Sequence, residues 1–583
     1  MSMMICEERQ KILDEAGHIL VTGGPGSGKT TIALKKAVTR IEEGLSPGQA
    51  VLFLSFSRAA VARIIESTEK HEWATKDFVR NVAIQTFHSF FWRLLKNYGY
   101  LLGCPRKIEI LLPHDEKARN GGIDEDSAEW PNWMLERVRL FSEEGRVVFD
   151  LFSQLVLDIL KRSEVIRSIV AYQYPLMILD EAQDTDESQW ECVRLLADKT
   201  QLLCLADLEQ QIYDFRPGVS SERVTHILDK LKPLRVDLGT ENNRSENTEI
   251  LKFGNDVLLN TPRKSGYRGV SRITFPADAP SRDRAIRQSV GLIYKKIQEE
   301  TGKNPKNICL MASWGKGVTV ISNALRGNDD QKEIRHQVLF DETGALLSSR
   351  VVAFLLEPRH KSDELIDLSI ALYLLSEIES AKGTKTSLKK FQSLQNAATQ
   401  ADGGSLPRST RLVRGLLDSL HLMRSAILTG DPKKDWLQVR KILRITRVDE
   451  LKAVDNAVQY LMAFNRGKKI SESLSETWRE NGEYRNARAI LDKALSEIQL
   501  FSDDTDTRGI HVMTLHKAKG KEFDAVIIFD ESRISPLLYG NERPPHTRCR
   551  KLLRVGITRA KHHVLLLTDR YNPTPLLKGF RLG

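Results

Sequence analysis

Residues 23–30 read GGPGSGKT, and the spacing G-x-x-x-x-G-K-T suits one chemistry, the gripping of phosphates. Gly23, Gly24, Gly26 and Gly28, with Pro25 and Ser27 among them, keep side chains out of the way so that backbone N–H groups can wrap a β-phosphate. Lys29 would neutralise transferring oxygens, and Thr30, followed by Thr31, offers a hydroxyl to magnesium. A plain glycine turn has the same letters, so context decides. Far downstream, YPLMILDEAQD (174–184) ends an apolar run in two adjacent carboxylates: Asp180 can hold the metal while Glu181 orients an attacking water. Such a pair alone is more often a solvated loop, but with a phosphate loop upstream the reading reverses. A third apolar run, 202–205, leads into ADLEQ and puts Gln210 where it could sense a terminal phosphate; taken alone, a surface glutamine is the plainer reading.

These groups need strands and helices to hold them. Short Val/Ile/Leu runs at 19–21, 51–54, 176–179 and 202–205 alternate with helical stretches, as in a parallel sheet covered on both faces. The phosphate loop falls between a strand (HILVT) and a helix whose Ala33, Ala37, Val38 and Ile41 share a face. A second set of runs, 512–515, 525–529 and 564–567, predicts a second α/β domain. Between the sets, 358–504 is rich in Leu, Lys, Arg and Glu at helical spacing and reads as a helical insertion, with a Gly/Ser/Pro linker at 400–407. A smaller insertion covers about 91–145, with a loop signal at 120–123.

With 583 residues the chain needs several cores. Its net charge of +10 favours a polyanion such as nucleic acid, although simple solubility explains part of it. Six scattered cysteines, without CxxC or metal-ligand spacing, suit a reducing compartment. The polar start MSMMICEERQ and the lack of any apolar run near the roughly 18 residues of a membrane span point to the cytoplasm and away from a membrane. A basic stretch at Lys433, Lys434, Arg440, Lys441, Arg444 and Arg447 reads equally as a binding face or a solvated helix.

At DEAQDTDESQ (180–189) and ADLEQQIYDFR (206–216) the sequence resembles the UvrD/Rep branch of superfamily 1 DNA helicases. The resemblance continues in Gln10, SFSRAA (55–60), TFHSF (86–90), FDLF (149–152), NNRS (242–245), MTLHKAKGKEFDAV (513–526) and VGITRAK (555–561). It implies an α/β fold of two RecA-like parallel-sheet lobes, 1–90 with 146–240 and 241–357 with 505–583, carrying two mainly helical insertions, 91–145 and 358–504. It also implies ATP and Mg2+ as cofactors and single-stranded or tailed duplex DNA as partner, with 3′ to 5′ movement. Residue by residue, Gln10 reads adenine, Gln183 and Gln210 couple the γ-phosphate to DNA, Arg244 and Arg559 act as arginine fingers, and Glu522 holds the ribose. Phe56, His88, Phe215 and Arg216 would line a DNA path, with Thr514 and His516 near the backbone; stacking on aromatic rings tolerates any base, which suits a translocase.

The sequence departs from the family pattern in places. Asn243 replaces the aromatic that stacks on adenine, so selectivity for adenine should relax. The run 548–560 lacks the usual acidic pair and has Arg554 for a tyrosine, while Ala206 and Pro217 replace glycines. The chain ends soon after the last motif, with no appended nuclease expected. A compact, divergent chain of this kind is similar to the helicase-like subunit of the Gabija antiphage system, whose partner is a separate nuclease; DNA repair is the other setting. Two rivals stay open: a nucleotide-sensing, DNA-dependent ATPase that regulates a partner nuclease without processive unwinding, and a small-molecule P-loop kinase, which has no need of the late arginines.

Overall fold

The computed structural model describes residues 6–56, 76–123, 125, 127–207, 222–239, 248–276, 278–327, 331–339, 343–359, 361–458, 465–501, 508–538 and 542–582. Contacts group the chain into two compact units. One comprises Met1–Phe90, Val156–Phe340 and Asp503–Gly583; the other comprises Phe91–Leu155 and Asp341–Ser502.

The strands run in chain order β1 (Ile19–Thr22), β2 (Val51–Ser55), β3 (Val82–Thr86), β4 (Glu109–Ile110), β5 (Arg146–Val147), β6 (Leu176–Leu179), β7 (Gln201–Ala206) and β8 (Leu234–Asp237). They continue as β9 (Val270–Phe275), β10 (Asn307–Ala312), β11 (Gln337–Leu339), β12 (Gly509–Thr514), β13 (Phe523–Asp530) and β14 (Ala560–Asp569). The first unit holds two six-stranded sheets, β3-β2-β6-β7-β1-β8 and β11-β12-β10-β13-β14-β9. Every pairing in both is parallel.

Parallel strands joined through helices are buried on both faces, which is why β1, β2, β6 and β7 are continuous apolar runs. The four early runs lie within these strands, and the late runs lie within β12, β13 and β14 except for Leu515, which opens the 3-10 turn Leu515–Ala518. Strands β3, β8, β9 and β11 are sheet edges with polar residues in their runs (VAIQT, LRVD, VSRITF, QVL), so no continuous apolar signal marks them. Strand β10 (NICLMA) is central and fully buried, yet the sequence reading does not single it out.

The second unit is mainly helical, with β4 and β5 as a short parallel pair. Across 358–504 the described elements are all helices, from Glu364–Ser380 to Ala487–Phe501. The 400–407 break begins later than its letters suggest, because residues 400–402 complete the helix Lys385–Asp402. The two insertions share one hydrophobic core: Leu112 of the first belongs with Leu368, Leu372 and Trp436 of the second, and with Val352 of the helix Thr343–Leu356 that leads into it. Arg350, on the helix Thr343–Leu356, donates to Asp115 of the first insertion (2.9 Å from Nη2) and to Asp492 of the second (2.8 Å). Gly122 and Gly383 meet so closely that a Cβ on Gly122 would stand 2.7 Å from the Gly383 Cα, and both have left-handed φ of 72° and 64°. The basic stretch is partly consumed internally, since Arg440 and Arg444 clasp Asp455 at 2.7 and 2.6 Å.

Candidate active site

The phosphate loop leaves β1 and begins the helix Lys29–Glu42. Gly24 N–H donates to the Gly239 carbonyl just past β8 (2.9 Å), anchoring the loop to the sheet. Gly26 and Gly28 have φ of 80° and 90°, conformations that need glycine, and Gly28 is the N-cap of the helix with no side chain capping it. The helix start therefore presents its leading N–H groups to the loop. Among the described residues, the buried Ser27 hydroxyl has no hydrogen-bond partner. Lys29 Nζ donates to the Gly23 and Gly24 carbonyls at 2.7 and 2.9 Å and stands 3.9 Å from Asp207. This surplus of donors fits a polyphosphate. The preceding helix, Glu7–Asp14, braces the loop through Arg9, whose guanidinium reaches the Ser27 carbonyl (3.4 Å), and through Lys36, whose ammonium holds the Leu13 and Glu15 carbonyls.

Asp180 and Glu181 leave β6 at its C-terminal edge, where open parallel sheets bind ligands. Asp180 N–H donates to the Leu54 carbonyl, and the Ser55 hydroxyl donates to its carboxylate at 3.3 Å. The Asp180 carboxylate and the Thr30 hydroxyl are oxygen ligands of the kind a hard divalent cation prefers. Glu181 has φ 52°, a left-handed conformation unusual for a residue with a side chain and a mark of local strain. Burial works against the charge of Glu181, but the cations Lys519 and Lys29, a hydrogen bond from Gln183, and Arg559 outweigh it and hold its pKa below the ordinary glutamate value.

Gln183 joins two motifs. Its amide nitrogen donates to Glu181 (2.5 Å), and its carbonyl oxygen accepts from the Asp207 N–H at the exit of β7 (3.2 Å). From the other sheet comes Lys519, in the turn after β12: its buried ammonium donates to Asp184 and lies 3.8 Å from Glu181. Lys519 is absent from the sequence-derived site because three lysines, Lys517, Lys519 and Lys521, crowd that stretch and spacing alone selects none of them. Arg559 is buried, with Nε donating to the Val555 carbonyl (3.0 Å) and Nη2 to the Thr558 hydroxyl.

The remaining predicted residues are placed as follows. Glu522 pairs with Lys561 at 3.7 Å. Gln10 is exposed and donates to Asp14 on its own helix (2.7 Å). Phe56 stands at the exit of β2, its ring 5.0 Å from that of Phe87. His88 is half-buried in the helix Phe87–Tyr98, which begins where Thr86 and Ser89 exchange hydrogen bonds. Thr514 ends β12 and His516 follows in the 3-10 turn, both half-buried. Gln210, Phe215, Arg216 and Arg244 lie outside the described residues, as do Asn243, Pro217 and residues 57–60.

Comparison with known proteins bears on the family of the chain. The UvrD/REP helicase N-terminal domain family matches residues 4–138 and 134–223, and the UvrD-like helicase C-terminal domain family matches residues 509–567. The chain is 22% identical to the ATP-dependent DNA helicase PcrA of Staphylococcus aureus (strain Mu50 / ATCC 700699), over 97% of this chain and 83% of that protein. It is equally similar to PcrA of Staphylococcus epidermidis (strain ATCC 12228 / FDA PCI 1200), with the same identity and coverage.

Proposed function

Because this chain belongs to the UvrD-like superfamily 1 helicases and is an ATP-dependent DNA helicase, we propose that it hydrolyses ATP with Mg2+ between its two sheets and steps 3′ to 5′ along single-stranded DNA. The observation that carries this reading is the position of Glu181, faced by Lys29 from the first sheet and by Lys519 and Arg559 from the second. Thr30 and Asp180 would hold Mg2+, which would supply charge neutralisation at the phosphate oxygens. Lys29 adds to it, and Glu181, ionised because of its cationic neighbours, takes a proton from the attacking water. Arg559 and Arg244 are the arginine fingers, and Glu522 holds the ribose. Gln183, tied to both Glu181 and the exit of β7, relays the state of the phosphate site to the strand exits. Phe56, His88, Thr514 and His516 form the DNA path, and the family motif adds Phe215 and Arg216 to it.

Two measurements test this reading: ATP turnover with and without single-stranded DNA, and strand displacement on 3′-tailed against 5′-tailed duplexes. Stimulated turnover with displacement of the 3′-tailed duplex is expected, and preference for the 5′ tail would overturn the direction. DNA affinity should fall steeply with salt as counterions are released.

A second reading, an ATPase that governs a partner nuclease without processive unwinding, is favoured by the single core of the two insertions, which makes them one body. DNA-stimulated turnover without displacement would select it. The divergent run 548–560 supports a specialised role in antiphage defence beside a separate nuclease, with DNA repair as the alternative. The six cysteines are scattered along the sequence with no CxxC pair, which suits the cytoplasm, and among the described residues no helix is long and apolar enough to cross a membrane.

A further inference from the structure

Strand β10 is buried along its whole length, yet two residues past its end Trp314 holds 47% of its surface in water. A large aromatic ring left that exposed forgoes the burial that usually places Trp inside. The backbone beneath it is fixed. The fully buried Ser535 hydroxyl accepts from the N–H groups of Ser313 (2.9 Å) and Trp314 (3.3 Å), and Gly317 packs so tightly that a Cβ there would stand 2.6 Å from the Ser535 side chain. The ring is thus presented from a rigid base at the C-terminal edge of the second sheet, the edge where parallel sheets take ligands.

Its neighbour is set by register. β10 pairs with β12 so that Ala312 stands opposite Thr514, and the chain carrying Trp314 therefore leaves the sheet beside the turn that carries His516. Two exposed lysines, Lys316 and Lys517, lie at the same pair of strand exits. An aromatic face flanked by positive charge is the combination that holds single-stranded nucleic acid, with the ring taking a base and the cations the backbone.

We propose that Trp314 is a base-stacking platform for single-stranded DNA on the second lobe. The proposal rests on the reading that DNA runs past Thr514 and His516. On it, the second lobe grips by stacking as well as by backbone contact, independently of base identity.

The test uses the full chain as wild type, Trp314→Ala and Trp314→Phe. Each is titrated with a fluorescently labelled thymidine oligonucleotide and with an abasic oligonucleotide of equal length. Trp314→Ala should bind the thymidine strand about tenfold more weakly, the loss of one base stack, while Trp314→Phe stays close to wild type. Affinity for the abasic strand, and the slope of affinity against salt, should be the same in all three, because no phosphate contact is removed. Equal thymidine affinity in wild type and Trp314→Ala would overturn the proposal, as would an equal loss on both strands, the mark of a merely structural role. If wild type binds neither strand, the DNA path itself fails and the platform with it.

Discussion

Lys519 of the second sheet donates to Asp184 of the first and stands 3.8 Å from Glu181, the carboxylate read as general base. One ammonium thus joins the two sheets at the point where hydrolysis would occur. Its field, with that of Lys29 and a hydrogen bond from Gln183, keeps Glu181 ionised against the cost of burial.

Removing that cation should raise the pKa of Glu181, because the charged form loses stabilisation while burial still opposes it. In Lys519→Ala the acid limb of the pH–kcat profile is expected to move to higher pH. In the wild type turnover should hold through the ordinary glutamate range. Superimposable profiles would remove Lys519 from the control of Glu181.

Glu181→Gln should lower kcat by about 10²–10⁴-fold, the span of a positioned general base, while ATP binding followed by a fluorescent analogue persists. Lys29→Ala should lose hydrolysis together with much of the binding, since its ammonium lies over the loop carbonyls. Normal turnover in Glu181→Gln would assign the base elsewhere.

For Arg559→Ala, a loss on the order of a thousandfold in kcat with little change in ATP affinity is expected, as for an arginine finger that acts on transition-state charge. Arg559→Lys should recover only part, because a point charge cannot reproduce the planar fork. A change confined to KM would make Arg559 a binding residue.

Arg350 sits among Asp115, Asp492 and Glu377 and ties the two insertions together. Arg350→Ala should destabilise the chain by about 2 kcal/mol, discounted from the 3–5 kcal/mol of a broken buried pair because Asp492 is partly exposed. Urea unfolding measures it. DNA-free ATP turnover should be unaffected, since the phosphate site belongs to the other unit.

Asp530, at the end of β13, accepts from the Leu537 N–H (3.0 Å), and burial pushes its pKa up to about 6. A carboxyl whose folded pKa lies above its unfolded value, about 3.9, binds its proton more tightly when folded. The stability it contributes is therefore lost as pH rises from about 4 to about 6. Asp530→Asn keeps the acceptor without the charge, so its melting temperature should gain on the wild type across that window. Parallel curves would place the titration elsewhere.

Much of this was legible in the sequence. The phosphate loop could be read because its chemistry demands glycines at fixed spacing followed by Lys29 and Thr30, and the central strands could be read because burial on both faces makes them continuously apolar. The edge strands β3, β8, β9 and β11 were not legible, since one exposed side breaks the apolar signal. Nor did spacing isolate Lys519 among its neighbouring lysines, or Trp314, whose strand exit meets that of β12 only through pairing across distant sequence.

The sequence by itself therefore determined the local chemistry, a loop that can hold phosphates and a strand that ends in two carboxylates, because these depend on residues adjacent in the chain. Only the tertiary structure decided which cation from the other sheet faces Glu181, that Gln183 bridges to β7, and that the two insertions form one core around Arg350. Those relations join residues far apart in sequence, and the register and packing that bring them together are set by the burial of whole elements.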